Sequence, residues 1–99
     1  METLERKLNG EWIVVNAEGD FSELNEGTIY TFTGCDKLET RKSIFSLSGE
    51  ITSITASHLC VQMQGLQNPS EFDFRFEGSA LILEPMNSGQ ILTLLKREK

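Results

Sequence analysis

The sequence predicts an all-β fold, an antiparallel up-and-down β-barrel of about eight short strands that forms a single domain over residues 1–99. Segments rich in β-branched and aromatic residues recur at roughly 8–12-residue spacing, as in barrels and sandwiches. Turn residues separate these segments, and no helical pattern alternates with them, which excludes a parallel α/β fold. A closed barrel also removes exposed strand edges, which so short a chain could hardly cover otherwise.

The N-terminal half is predicted to open with a helical turn and then continue as strands. Thr3 is a suitable N-cap, Leu4 and Leu8 share a helix face, and Asn9-Gly10 is expected to end the helix. Ile51 and Ile54 have opposite parity in a single segment rich in Ile and Thr, which indicates a bulge or a bend. We expect strands at 12–16, 28–33, 38–42, 43–48 and 51–56, with turns at 18–20, 34–37 and 48–50.

The C-terminal half gives the clearest strand signal. Phe72, Phe74 and Phe76 alternate with charged residues over 71–77, a pattern typical of a strand with one buried and one solvated face. Gly78-Ser79 then predicts a tight hairpin. Further strands are expected at 58–63, 80–84 and 91–96, with a loop at 65–70.

Composition and charge limit the partners and the compartments that we expect. Nine basic and fifteen acidic residues give a net charge of −6, so nucleic acid is not an expected partner. No stretch approaches the roughly 20 apolar residues of a membrane span, and the N-terminus lacks the pattern of a signal peptide. We therefore expect a cytoplasmic protein, or a secreted or periplasmic one if a leader has been removed. Cys35 and Cys60 are expected to be two separate thiols.

Four segments resemble the lipocalin superfamily, in particular small bacterial lipocalin-like, calycin-type domains. They are Leu8-x-Gly10-x-Trp12, the run 27–32, the run 76–83, and the closing Gly89-x-x-Leu92-x-Leu94-x-Lys96-Arg97. The resemblance implies that Trp12 forms the barrel floor. It also implies that Arg97 or Lys96 packs over this tryptophan through a cation–π contact.

Inward-facing side chains of such a barrel are candidates for a ligand site, since eight strands can hold one small molecule. We expect non-catalytic binding of a small apolar or amphipathic molecule in the barrel mouth, with no cofactor. The alternative is a barrel filled by its own side chains that acts as a protein-interaction or inhibitor-type module. The candidate ligand-binding residues are Trp12, Asn16, Tyr30, Phe32, Ser43, Phe45, Met63 and Phe74. Among these, Asn16 is placed on the same strand face as Trp12.

The remaining residue groups give weaker indications of a metal site, a catalytic site or a dimer surface. His58 and Cys60 form a His-x-Cys pair, to which Cys35 and Asp36 could add ligands, but the spacing of a structural zinc site is missing. We therefore expect an exposed strand histidine and no metal. A single histidine and no nucleophile motif argue against an enzyme. Ile82 with Ile13 or Val15 on the outer face is compatible with a homodimer.

Overall fold

The structure, a computed structural model, describes residues 4–19, 26–42, 44–65, 67–86 and 89–97. Within these ranges a short helix precedes eight strands, each antiparallel to the next, and β8 pairs with β1 to close the barrel. The predicted fold class is therefore confirmed. The elements are α1 (Leu4–Leu8), β1 (Gly10–Glu18), β2 (Ile29–Thr33), β3 (Lys37–Lys42), β4 (Phe45–Ile54), β5 (His58–Met63), β6 (Ser70–Glu77), β7 (Ala80–Pro85) and β8 (Ile91–Lys96).

A bulge in β1 lets this strand pair with both of its neighbours. Val14 lies opposite Leu94 and Asn16 opposite Thr93, so Val15 is the extra residue. The slip reverses the faces of the residues that follow, because side chains alternate along a strand. Ala17 is therefore buried, while Asn16 is exposed on the outer wall. The expectation that Asn16 shares the face of Trp12 is wrong for this reason.

The β3–β4 hairpin differs from the prediction in where it turns. β4 runs unbroken through Gly49, so the expected turn at 48–50 is wrong. The chain instead reverses between Lys42 and Phe45, which pair with each other. Gly49 is needed for close packing: a Cβ there would lie 2.6 Å from the Gln62 carbonyl oxygen. The bulge expected near Ile51 is confirmed, since the register with β5 shifts between Ile51 and Ser53.

The buried core has side chains from every strand except β4, whose Ile51 and Ile54 are partly buried and pack against it. Phe72 and Phe76, which are partly buried, pack against it. The predicted alternation in 71–77 and the two-residue Gly78-Ser79 connection are confirmed by the pairing of β6 with β7. The buried core cluster consists of Leu8, Trp12, Val14, Ala17, Tyr30, Phe32, Leu38, Leu59, Val61, Met63, Phe74, Leu81, Leu83, Leu92 and Leu94.

One of the apolar residues predicted on the outer face is buried. Ile82 points outward, opposite Arg75 and Thr93, yet it is only 6% exposed. It therefore cannot contribute to an exposed apolar patch for a homodimer. Val15 is exposed and Ile13 half-buried. Cys35 and Cys60 do not form a disulfide, as expected. The described helix, α1, is five residues long and far too short to cross a bilayer.

Candidate functional site

One end of the barrel is closed by α1 and Trp12, and we call it the closed end. The Trp12 indole Nε1 donates a hydrogen bond of 2.8 Å to the Leu8 carbonyl, and both side chains are buried. The Trp12 ring also lies 6.2 Å from the Phe76 ring, in a tilted arrangement. The Asn9 side chain accepts a hydrogen bond from the Gly34 amide at 2.8 Å, which ties the end of the helix to the β2–β3 turn.

Cationic side chains cover the rings at this end. Lys96 Nζ lies 5.7 Å from the Trp12 ring centroid, and Lys7 Nζ lies 5.0 Å from that of Phe76. Arg97 instead approaches Glu11, with 3.9 Å between Nη1 and the carboxylate. Of the two residues that the resemblance offered as a lid, the structure therefore selects Lys96.

The opposite end of the barrel carries an exposed apolar surface on the β3–β4 hairpin. Because paired residues of antiparallel strands share a face, Phe45 and Leu47 follow the inward parity of Leu38. They are nevertheless 75% and 48% exposed. We call Thr40, Lys42, Phe45 and Leu47, which share this face, the mouth face.

The strand registers explain why the mouth face is open. The β2–β3 pairing starts at Ile29 opposite Arg41, and the β4–β5 pairing starts at Gly49 opposite Met63. The tip of the hairpin therefore extends beyond the paired part of both neighbouring strands. Ile44, in the turn, is 89% exposed. An apolar tip with no neighbouring strand is surface that another molecule can cover.

The predicted site residues fall into distinct places. Phe45 lies on the mouth face, Asn16 lies on the outer wall, and Ser43 lies outside the described residues. The other predicted residues are buried in the core: Trp12, Tyr30, Phe32, Met63 and Phe74. The structure therefore separates the predicted set, and among its described members only Phe45 offers a largely exposed apolar surface.

Tyr30 lies between the buried and the open parts of the barrel. It lies opposite both Trp12 and Thr40, so its strand position is between the closed end and the mouth face. Burial raises the pKa of its phenol from the ordinary 10.0 to about 12. The phenol therefore remains neutral over the physiological pH range.

A groove of about 540 Å³ runs along the outer wall over β2 to β5. Most of the residues that line it are polar, and they include charges of both signs at Lys37, Glu39 and Glu50. Because the lining residues come from four strands, sequence periodicity alone could not reveal the groove.

A second polar group lies on the outer wall of β5 and β6. The strand register places His58 opposite Asp73 and Cys60 opposite Glu71. His58 Nδ1 lies 2.8 Å from Asp73 Oδ1, and His58 Nε2 lies 3.1 Å from Glu71 Oε1. Cys60 Sγ lies 3.6 Å from the same Glu71 oxygen. We call His58, Cys60, Glu71 and Asp73 the β5–β6 cluster.

The electrostatics of the β5–β6 cluster follow from these contacts. Hydrogen bonds to Asp73 and then Glu71 raise the pKa of His58, because they stabilise its charged form. Desolvation, followed by the hydrogen bond with Glu71, raises the pKa of the Cys60 thiol. The sequence identified the His-x-Cys pair but missed both carboxylates, since only the strand register brings them to it. Cys35 and Asp36 are not part of this group.

No protein-family profile, curated protein or solved structure matches this chain. The function is therefore inferred from the geometry of the chain itself.

Proposed function

We propose that the protein is a lipocalin-like barrel that binds a small amphipathic molecule at the mouth face, without catalysis. The observation that carries the proposal is the exposure of Phe45 and Leu47 on an inward-facing strand surface. Elsewhere in the described chain, large inward-facing side chains are buried or partly buried against the core. An apolar ligand therefore gains most by covering the mouth face, and full burial of one such side chain is worth about 1.5–3 kcal/mol.

The charge beside the mouth face favours an anionic head group. Lys42 pairs with Phe45 on the same face, and the exposed Arg41 precedes it. The chain as a whole carries a net charge of −6, so this basic pair is a local exception. A molecule with an apolar chain and a carboxylate or similar anionic group fits both features.

The proposal is non-catalytic because the mouth face offers no acid–base pair. The single histidine of the chain, His58, lies on the outer wall of β5. The polar members of the mouth face, Thr40 and Lys42, supply hydrogen bonding and charge. Within the part of the chain that the structure describes, the Thr40 hydroxyl is not hydrogen-bonded to a base that would activate it as a nucleophile.

Calorimetric titration with dodecanoate, below the concentration at which it forms micelles, tests the proposal. We expect saturable binding that is weakened about tenfold or more by Phe45→Ser or Leu47→Ser, which corresponds to about 1.4 kcal/mol. Leu95→Ser is the matched control, because Leu95 is a strand leucine of similar exposure, 42% against 48% for Leu47, on the outer wall. Dodecyltrimethylammonium, with the opposite charge, should bind more weakly. Equal losses in the Leu47 and Leu95 variants would contradict the proposal.

A second candidate is a protein-interaction module with a filled barrel. Ile44 favours it, since this side chain is 89% exposed and extends the apolar surface around the tip of the hairpin. Contiguous exposed apolar side chains of this kind can mark a protein-interaction site. Under this candidate, the wild-type chain shows no saturable dodecanoate binding, and Ile44→Ser weakens a partner complex as strongly as Phe45→Ser does.

A further inference from the structure

Three donor atoms of different chemistry converge on the outer wall of β5 and β6: His58 Nε2, Cys60 Sγ and Glu71 Oε1. The N···O distance is 3.1 Å, the S···N distance 3.8 Å and the S···O distance 3.6 Å. They form a small triangle on one face of the sheet, where side chains of paired residues stand side by side. Such a triangle can be compared directly with the coordination geometry of a bound cation.

The triangle matches one face of a zinc coordination tetrahedron. Typical Zn–N, Zn–O and Zn–S lengths at tetrahedral angles separate N from O by about 3.3 Å, and S from N or O by about 3.6 Å. Each of the three observed separations lies about 0.2 Å or less from these values. A cation above the triangle can therefore contact all three atoms without a change in the strand register.

Asp73 adds the partner that a ligating histidine usually has. Its Oδ1 lies 2.8 Å from His58 Nδ1, on the far side of the ring from Nε2. A proton held on Nδ1 by this carboxylate leaves the Nε2 lone pair directed at the cation, as in carboxylate–histidine–zinc arrangements. The antiparallel register, with His58 opposite Asp73 and Cys60 opposite Glu71, fixes both pairs on rigid strands.

We propose that His58 Nε2, Cys60 Sγ and Glu71 Oε1 form a binding site for Zn²⁺, with Asp73 orienting the imidazole. Nitrogen and sulfur donors select zinc and related transition metals over Ca²⁺ and Mg²⁺, which prefer oxygen. Cys60 binds as the thiolate and His58 through an unprotonated Nε2, which gives up its hydrogen bond with Glu71, and the protons released from Sγ and Nε2 pass to solvent. Three protein ligands leave the fourth position for water or for a donor from another molecule. The site is independent of the mouth face and of the proposed function.

Titration of the tag-free, reduced chain with Co²⁺, followed by displacement with Zn²⁺, tests the proposal. We expect visible bands of tetrahedral Co²⁺ and a near-ultraviolet thiolate-to-cobalt band at one equivalent, both removed by Zn²⁺. Cys60→Ser should remove the thiolate band, while Cys35→Ser, which changes the other cysteine, should leave it intact. A thiolate band that persists in Cys60→Ser or disappears in Cys35→Ser would overturn the assignment.

Competition for Zn²⁺ against a chromophoric chelator then assigns the remaining residues. We expect His58→Gln and Glu71→Gln each to weaken Zn²⁺ binding at least tenfold, and Asp73→Asn to weaken it about 10–100-fold. Glu77→Gln is the control, since Glu77 is an outward-facing carboxylate on β6 that pairs with Arg75 instead. Circular dichroism confirms that each variant folds, as expected for exposed or half-buried positions. No Zn²⁺ binding by the wild-type chain, or an equal loss in Glu77→Gln, would overturn the proposal.

Discussion

The closed end and the mouth face carry the same kind of side chain on the same side of the sheet, yet they differ in burial. Trp12 is buried where α1, Phe76 and the ammonium group of Lys96 lie against it. Phe45 is exposed because its hairpin extends beyond β2 and β5. Strand parity therefore decides which way a side chain points, and neighbouring strands decide whether it stabilises the fold or remains available for binding.

The largest expected difference between the two ends is in stability. Trp12→Ala should lower the free energy of unfolding by about 3–5 kcal/mol, because it removes a large buried ring and leaves a cavity. Phe45→Ala should change it by no more than about 0.5 kcal/mol, as for other surface substitutions. Urea unfolding followed by circular dichroism measures both. If Trp12→Ala does not fold, Trp12→Phe should still lose more than Phe45→Ala. Similar losses of unfolding free energy at the two positions would show that Trp12 and Phe45 do not differ in burial.

Tyr30 should make the stability of the fold depend on pH. Burial raises the pKa of its phenol from 10.0 to about 12, so the folded state retains the proton longer than the unfolded state. The stability it contributes is complete below pH 10 and is lost as pH rises through 12, a loss of about 2–3 kcal/mol. Urea midpoints on either side of pH 10, for wild type and Tyr30→Phe, isolate this effect from other groups.

Tyrosinate absorbance provides the direct control, because Tyr30 is the only tyrosine in the chain. The phenolate should appear together with unfolding or near the raised pKa. Phenolate formation near pH 10 with an unchanged circular dichroism spectrum would show that Tyr30 is not buried.

Gly49 marks the point where β4 passes from the open hairpin into the paired wall. A Cβ there would lie 2.6 Å from the Gln62 carbonyl oxygen and 2.8 Å from Met63 Cα, and these backbone atoms cannot easily move. Gly49→Ala should therefore destabilise the fold by about 1–3 kcal/mol. The adjacent Ser48→Ala, which faces outward opposite Glu39, should have little effect on the same urea midpoint. A neutral Gly49→Ala would show that β4 and β5 do not approach this closely.

The smallest effect concerns the two basic residues at the closed end. Lys96→Met keeps the aliphatic stem but removes the charge over Trp12, which should cost about 0.5–1 kcal/mol. Arg97→Gln should cost almost nothing, since its contact with Glu11 is long and exposed. Thermal unfolding at low salt compares the two variants. A larger loss of stability in Arg97→Gln than in Lys96→Met would show that Arg97, and not Lys96, supplies the cation over Trp12.

Local pattern was sufficient for the fold class, whereas the closed end was expected from the lipocalin-like resemblance, which left the choice between Lys96 and Arg97 open. The alternation of Phe72, Phe74 and Phe76 and the Gly78-Ser79 turn are confirmed, because both depend on neighbours in sequence. The contact of Lys96 with Trp12 follows from the closure of the barrel, since β8 lies beside β1.

Register was what local pattern could not supply. The bulge at Val15 occurs within consecutive β-branched residues, so nothing in the alternation indicates that Asn16 turns outward. The turn between β3 and β4 includes Ile44, which is not a typical turn residue. Gly49 suggests a turn, but it lies within β4, where the lack of a side chain allows β5 to approach closely. The carboxylates that complete the β5–β6 cluster lie at least eleven residues from their partners and meet them only across the strands.

Binding at the mouth face can be observed residue by residue by nitrogen-15 heteronuclear NMR during titration with dodecanoate. We expect saturable shift changes concentrated in residues 40–47, with the Trp12 indole resonance and the Leu95 amide almost unchanged. Shift changes centred on Trp12 would contradict this expectation by showing that the ligand enters the closed end. Changes spread over the outer wall of β1 and β8, or no saturable change, would equally contradict binding at the mouth face.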